Sequence, residues 1–462
     1  MSEPMNSDVT ADLPNKDDTP AHLTGNFAPV MEECTSFDLP VEGQIPPNLR
    51  GSYVRNGPNP QSGTSKHWFT GDGMLHGIQL EDGRASAFRN RWVRTKTFAD
   101  PETSFVGEDF AVDRSIAVAN TNIVQHAGRM LALVETSFPT QVTSELETVG
   151  THDFAGKLQS GMTAHPKFCP RTGEMHFFGY GFLPPLLSYH RVDAKGMLVQ
   201  TEEIDVTGPT MVHDFAITEN YVVFMDLPVV FDFEQAMGIT ENESGFPYHW
   251  SDDYPARLGV MPRSQPGAPV RWFAIEPCYS FHPFNAFERG GEIILDLCRY
   301  PELWRESSST FQIPCPHRFA INLKAGTVSE TPLGEGFAEF PRIDDRLTGL
   351  PNRFGYAARS NALPTEEHTP PAILKYDFEK GTEELWDAPD GCVPGEAVFV
   401  ADSASAGEDE GWLLFYAYDE NRDTSDLIIL NAQEPARGPV ARVTLPQRVP
   451  FGFHGNWFPA EA

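Results

Sequence analysis

From Phe27 onward, apolar positions come in short runs that read as strands, at residues 175–180, 221–225, 292–297, 372–378, 412–418 and 427–430. Turn signals separate them, among them Glu81-Asp82-Gly83, Gly290-Gly291 and Pro389-Asp390-Gly391. No stretch sustains the three-to-four-residue period of a long amphipathic helix. Only residues 144–149 and 233–237 suggest short helical turns. Many strands of similar length with no helices between them point to an all-β propeller or a large sandwich. No blade signature recurs at a fixed interval, so periodicity leaves both architectures open. Composition does not break between 27 and 462, which predicts a single domain there. Residues 1–26 form an acidic, polar tail expected to be disordered.

The 40 prolines and 38 glycines supply the turns that so many strands need. A net charge of −31 repels phosphate backbones and argues against a nucleic-acid partner. Six cysteines without a C-x-x-C pair argue against both a disulfide framework and a thiolate metal site. The N-terminus lacks the basic and apolar regions of a secretory signal, and no apolar run is long enough to span a bilayer. A soluble protein of the reducing cytoplasm is the expectation.

Four of the 14 histidines share a setting of apolar and small neighbours. His165 lies in Thr-Ala-His-Pro, His213 in Met-Val-His-Asp-Phe, His282 in Phe-His-Pro-Phe-Asn, and His454 in Phe-Gly-Phe-His-Gly. The first three lie shortly before the runs at 175–180, 221–225 and 292–297. No local ligand motif has such wide separations. They make sense if each histidine comes from a different blade and all converge on one axis. Singly, each would more often be a hydrogen-bonded core histidine. His22, His249, His317 and His368 occupy polar stretches and read as surface residues. Four neutral imidazoles suit Zn, Cu, Fe or Ni, and a set without cysteine that leaves positions open suits Fe(II). Ligating imidazoles need acceptors on their other nitrogen. Glu135, Glu339 and Glu396 stand in apolar or tight contexts where a buried carboxylate requires a partner.

The chain resembles the carotenoid cleavage oxygenases from about residue 37 to the end. The resemblance rests on Gly-Ser-Tyr-Val-Arg-Asn-Gly-Pro-Asn-Pro from Gly51, Phe-Thr-Gly-Asp-Gly-Met-Leu-His from Phe69, the four histidine motifs, and Glu-Phe-Pro-Arg-Ile-Asp from Glu339, all in family order. It implies a seven-bladed propeller with one Fe(II) per chain held by His165, His213, His282 and His454. It further implies that Glu135, Glu339 and Glu396 orient His213, His282 and His454, leaving His165 without a carboxylate. Thr121 matches a threonine that the family places beside an open iron position. Relatives that cleave stilbenes and isoeugenol carry a phenol-binding lysine just before the first glutamate, where this chain has Val134. An apolar polyene, a carotenoid or apocarotenoid, is therefore the expected substrate. O₂ would split one conjugated C=C into two carbonyl products without an outside reductant.

The alternatives are alkene cleavage of a stilbene or phenylpropanoid by the same site, ester isomerisation on the same fold, and a non-catalytic metal-binding propeller. Trp68, Phe69 and Phe284 could line a substrate tunnel or belong to the propeller core. The apolar segments 182–187 and 227–233 could dip into the inner face of a membrane or form buried crossovers.

Overall fold

The computed structural model describes residues 19–107, 111–237, 239, 246–307, 311–359 and 370–460. Seven antiparallel sheets stand as blades around a central axis. Their innermost strands, in chain order from the second blade, are Asn122–His126, Lys167–Phe168, Ala216–Ile217, Pro283–Arg289, Glu339–Arg342 and the interrupted pair Cys392–Pro394 and Val398–Ala401. The first blade takes its innermost strand from the far end of the chain, where Gly455–Pro459 pairs with Gly51–Pro58. Its counterpart at the other end is Val41–Gly43, which completes the outside of the seventh blade on Pro439–Thr444. Both ends of the chain thus clasp the ring shut.

Blade stacking accounts for the apolar runs. An inner strand is covered on both faces by neighbouring blades, so strict alternation gives way to continuous apolar sequence. Every residue of Met175–Tyr180 is buried, and so are Leu427, Ile428, Ile429 and Leu430.

Several expectations need correction. Residues 144–149 form a turn leading into the strand Thr148–Thr151: Leu146 is buried with Val54, Leu75 and Ala132, whereas Val149 faces outward. The helical turn at 233–237 is present as Phe233–Ala236. His317 is not a surface residue: it lies on the strand Cys315–Asn322 with its side chain only 13% exposed, whereas His249, on the strand Tyr248–Trp250, keeps its side chain 39% exposed. His368 lies outside the described residues. The packed body begins before Phe27: Asn26 is buried, and its amide nitrogen donates to the Val449 carbonyl. Residues 1–18 of the expected tail lie outside the described residues. No helix among the described residues is long and apolar enough to cross a membrane.

Candidate metal centre

Each blade delivers its first inner-strand residues to the axis. His165, His282 and His454 stand at or just before the first residue of their strands, and His213 three residues ahead of its own. The inner strands Lys167–Phe168 and Ala216–Ile217 intervene between the histidines and the longer runs read from sequence. Thr121 and Glu339 hold equivalent places in the second and sixth blades, and Glu396 sits in the break of the seventh. Proline follows His165 and His282, which suits the entry to a strand, where no ladder N–H is needed. His454 is fixed through its backbone: its N–H donates to Thr121 at 3.1 Å, and its carbonyl accepts from Asn56 at 2.9 Å.

The four imidazoles converge, with one nitrogen from each lying within 4.8 Å of the others. Nε2 of His213 lies 3.0 Å from Nε2 of His165 and 3.2 Å from Nε2 of His282. Around a first-row dication with M–N near 2.1 Å, ligands at right angles stand about 3.0 Å apart and tetrahedral ones about 3.4 Å apart. The donor set therefore fits a metal ion with neighbouring positions left open.

Carboxylates fix the other face of three rings. His282 Nδ1 donates to Glu339 at 2.6 Å, His454 Nδ1 to Glu396 at 2.9 Å, and His213 Nδ1 to Glu135. These pairings turn Nε2 of each ring toward the centre. Asp214 is the carboxylate beside His165, but at 3.8 Å from Nδ1 it is too far for a hydrogen bond, and Lys167 holds it at 2.8 Å.

Burial, reinforced by the neighbouring imidazoles, pushes the His165 pKa far below its ordinary value, and burial lowers His282 as well. Both rings stay neutral and able to ligate. Burial also acts to lower His213, but the Glu135 carboxylate outweighs it and raises that ring. A cation at the centre would take the place of the proton so favoured. Burial would raise Glu396, yet His454 and Arg342 hold it down to about 2.

Two tyrosines that nothing in the sequence marks complete the carboxylate shell. Tyr180 Oη donates to Glu135 at 2.5 Å, and Tyr300 Oη to Glu339 at 3.0 Å. Burial and the adjacent carboxylate drive both phenols well above their usual pKa, so they remain donors.

Above the histidines lies a cavity of about 260 Å³. Phe69, Trp68, Phe281, Phe311, Phe340 and Phe453 supply most of its aromatic wall, and Thr121, Val134 and Glu135 also face it. Among the described residues lining it there is no lysine or arginine. The rim turn Trp68–Thr70 is capped by the His67 ring, and both its aromatic side chains pack on Phe453, at 4.7 and 5.4 Å between ring centres. Phe284 is not part of this wall. It packs edge-on against Tyr376 and Phe378, since two residues of strand beyond His282 carry it about 6.6 Å past the histidines.

The family model described as retinal pigment epithelial membrane protein matches residues 27–459. A carotenoid cleavage oxygenase of Mycobacterium tuberculosis is 38% identical, with 95% of this chain and 97% of the relative covered. The chain belongs to the carotenoid cleavage oxygenase family. Within it, the carotenoid 9,10(9',10')-cleavage dioxygenase 1 of Arabidopsis thaliana is 33% identical over 94% of this chain and 89% of its own length. Among solved structures, the lignostilbene dioxygenase of Pseudomonas brassicacearum superposes with a TM-score of 0.84 at 29% identity, covering 96% and 99% of the two chains. Cobalt-substituted Synechocystis ACO gives 0.82 at 29% identity, covering 94% and 97%. The relatives named here are oxygenases, and this chain sets four clustered histidines at the axis of the propeller.

Proposed function

We propose that His165, His213, His282 and His454 hold one Fe(II), and that the chain cleaves a conjugated C=C bond of a carotenoid or apocarotenoid with O₂. Each alkene carbon takes one oxygen atom, so two carbonyl products form and no outside reductant is consumed. The observation that carries the substrate reading is the aromatic cavity ending on the histidines, whose described lining holds no cation to bind a phenolate. Fe(II), when bound, supplies the electron-transfer chemistry that lets O₂ react with an alkene. The chain's own groups position and exclude. Glu135, Glu339 and Glu396 keep the imidazoles aimed, Thr121 occupies the wall beside His454, and Trp68, Phe69 and Phe453 keep water from the alkene. No proton transfer is required, and no residue is assigned one.

The substrate is reached through a rim that suits a membrane surface. Leu183, Phe233 and Met237 are 41%, 47% and 60% exposed, and Phe182 stacks on Phe231 at 4.9 Å. Phe231 in turn packs on Tyr248 of the cavity wall. Such a patch would dock by apolar contact, since the net charge of −31 repels anionic headgroups. All six cysteines are free thiols, in keeping with a reducing cytoplasmic setting.

Iron-loaded protein incubated under ¹⁸O₂ with a β-apocarotenal and, separately, with a hydroxystilbene tests the reading. Label in the carbonyl products of the apocarotenal is expected. Turnover of the hydroxystilbene alone would transfer the assignment to stilbene cleavage, and products without label would remove oxygenase chemistry altogether.

A further inference from the structure

A second cavity, of about 150 Å³, adjoins the same histidines from the other direction along the axis. The inner strands run away from the aromatic cavity and line this one. His213 faces only the aromatic cavity and His165 only the second, whereas His282, His454 and Phe340 face both. The two spaces meet at the histidine cluster and differ sharply in chemistry. To apolar residues such as Ile217, Phe284 and Ile343 the second adds Lys167, Asp214, Arg342, Asp345, Glu396 and three asparagines. Three carboxylates against two cations leave it slightly negative. Its outer end reaches solvent at Asp345, whose side chain is 66% exposed and pairs with Arg342 at 3.2 Å. Its inner end is the His165 ring, beside the Lys167–Asp214 ion pair.

A dication travels with its hydration shell. The aromatic cavity offers fewer carboxylate and amide oxygens along its wall to replace that shell, so crossing it carries the larger desolvation cost. A channel whose lining includes carboxylate and amide oxygens can exchange those waters in steps. We propose that the axial cavity is the route by which the metal reaches and leaves the four histidines, while the aromatic cavity is kept for apolar substrate. The inference rests on the reading of the histidines as a metal site.

The test uses full-length iron-loaded protein, with metal content measured first. Transfer of Fe(II) to a colorimetric chelator is then followed by absorbance, as is reloading of the stripped protein. Thr348, whose hydroxyl donates to the Asp345 carbonyl at the mouth, is changed to Trp to obstruct the opening. In a second variant, Asp345→Lys reverses the charge there, and salt dependence distinguishes its effect from obstruction. Thr348→Trp should slow both release and reloading, with KM for the alkene unchanged. Asp345→Lys should slow reloading about tenfold at low salt, with recovery as salt is raised. Filling the aromatic cavity of the unmodified protein with a short nonionic detergent should leave both rates as they were. Wild-type rates in both variants, slowing by detergent alone, or stripped protein that cannot be reloaded would overturn the route. Preparations that bind no metal at all would overturn the site itself, an outcome separable by the first measurement.

Discussion

Tyr300 donates to a carboxylate that already accepts from a histidine, so its removal tests how far imidazole orientation depends on support one layer out. Tyr300→Phe leaves a buried Glu339 oxygen without its donor and should lower stability by about 1–3 kcal/mol. Glu339→Gln should keep the fold while weakening metal retention by roughly 10–100-fold, measured by competition with a chelator. Retention equal to that of the unmodified protein would detach Glu339 from the site. These residues were not equally legible in the sequence. The histidines and glutamates stand out because a polar residue in an apolar setting needs a reason. Tyr180 and Tyr300 do not, since a tyrosine in or beside a strand is ordinary core until its hydroxyl partner is seen. Phe284 misleads for a related reason: its neighbour His282 reaches the axis, but the strand carries Phe284 past it. Phe340 keeps a backbone φ of +52°, a strained conformation for a bulky residue, where its ring lies over His282 and faces both cavities.

Within the third blade, two histidines outside the four-histidine cluster set an expectation for pH. His176 and His190 lie on paired strands, one on each face of the blade, bonded respectively to Tyr189 and to Thr201 and Ser160. Burial holds both down to about 3. A histidine neutral when folded but titrating near 6.5 when unfolded contributes stability fully above pH 6.5 and loses it as pH falls toward 3. At pH 5 the penalty is about 2 kcal/mol for each. Urea midpoints should therefore fall between pH 7 and 5, and His190→Gln should flatten that slope. An unchanged slope would mean that the ring is hydrated in the native state. Strand existence was readable from apolar runs, whereas the innermost strands of the third and fourth blades were not. At two residues each, they carry too little sequence to show a period, and only pairing with the next strand defines them.

For the molecule as a whole, closure of the ring and completion of the site are one event, because Gly455–Pro459 is at once the inner strand of the first blade and the mount of His454. Removing residues 454–462 should abolish metal binding and lower the thermal midpoint, whereas His454→Ala should abolish binding with the ring still closed. Metal analysis and calorimetry on the two variants separate the effects, and metal retained by either would break the four-histidine assignment. Strand pattern and periodicity alone do not separate propeller from sandwich, since blades lacking a shared signature present only strands. The family motifs from Gly51, Phe69 and Glu339 point to the seven-bladed propeller that the structure has. The order in which the ligands occur along the chain has a further consequence. A ribosome releases His165, His213 and His282 well before His454, and the strand that carries His454 can pair only once the first blade is waiting for it. A growing chain thus offers three imidazoles on an unclosed ring, and the four-histidine set exists only once Gly455–Pro459 has paired with the first blade.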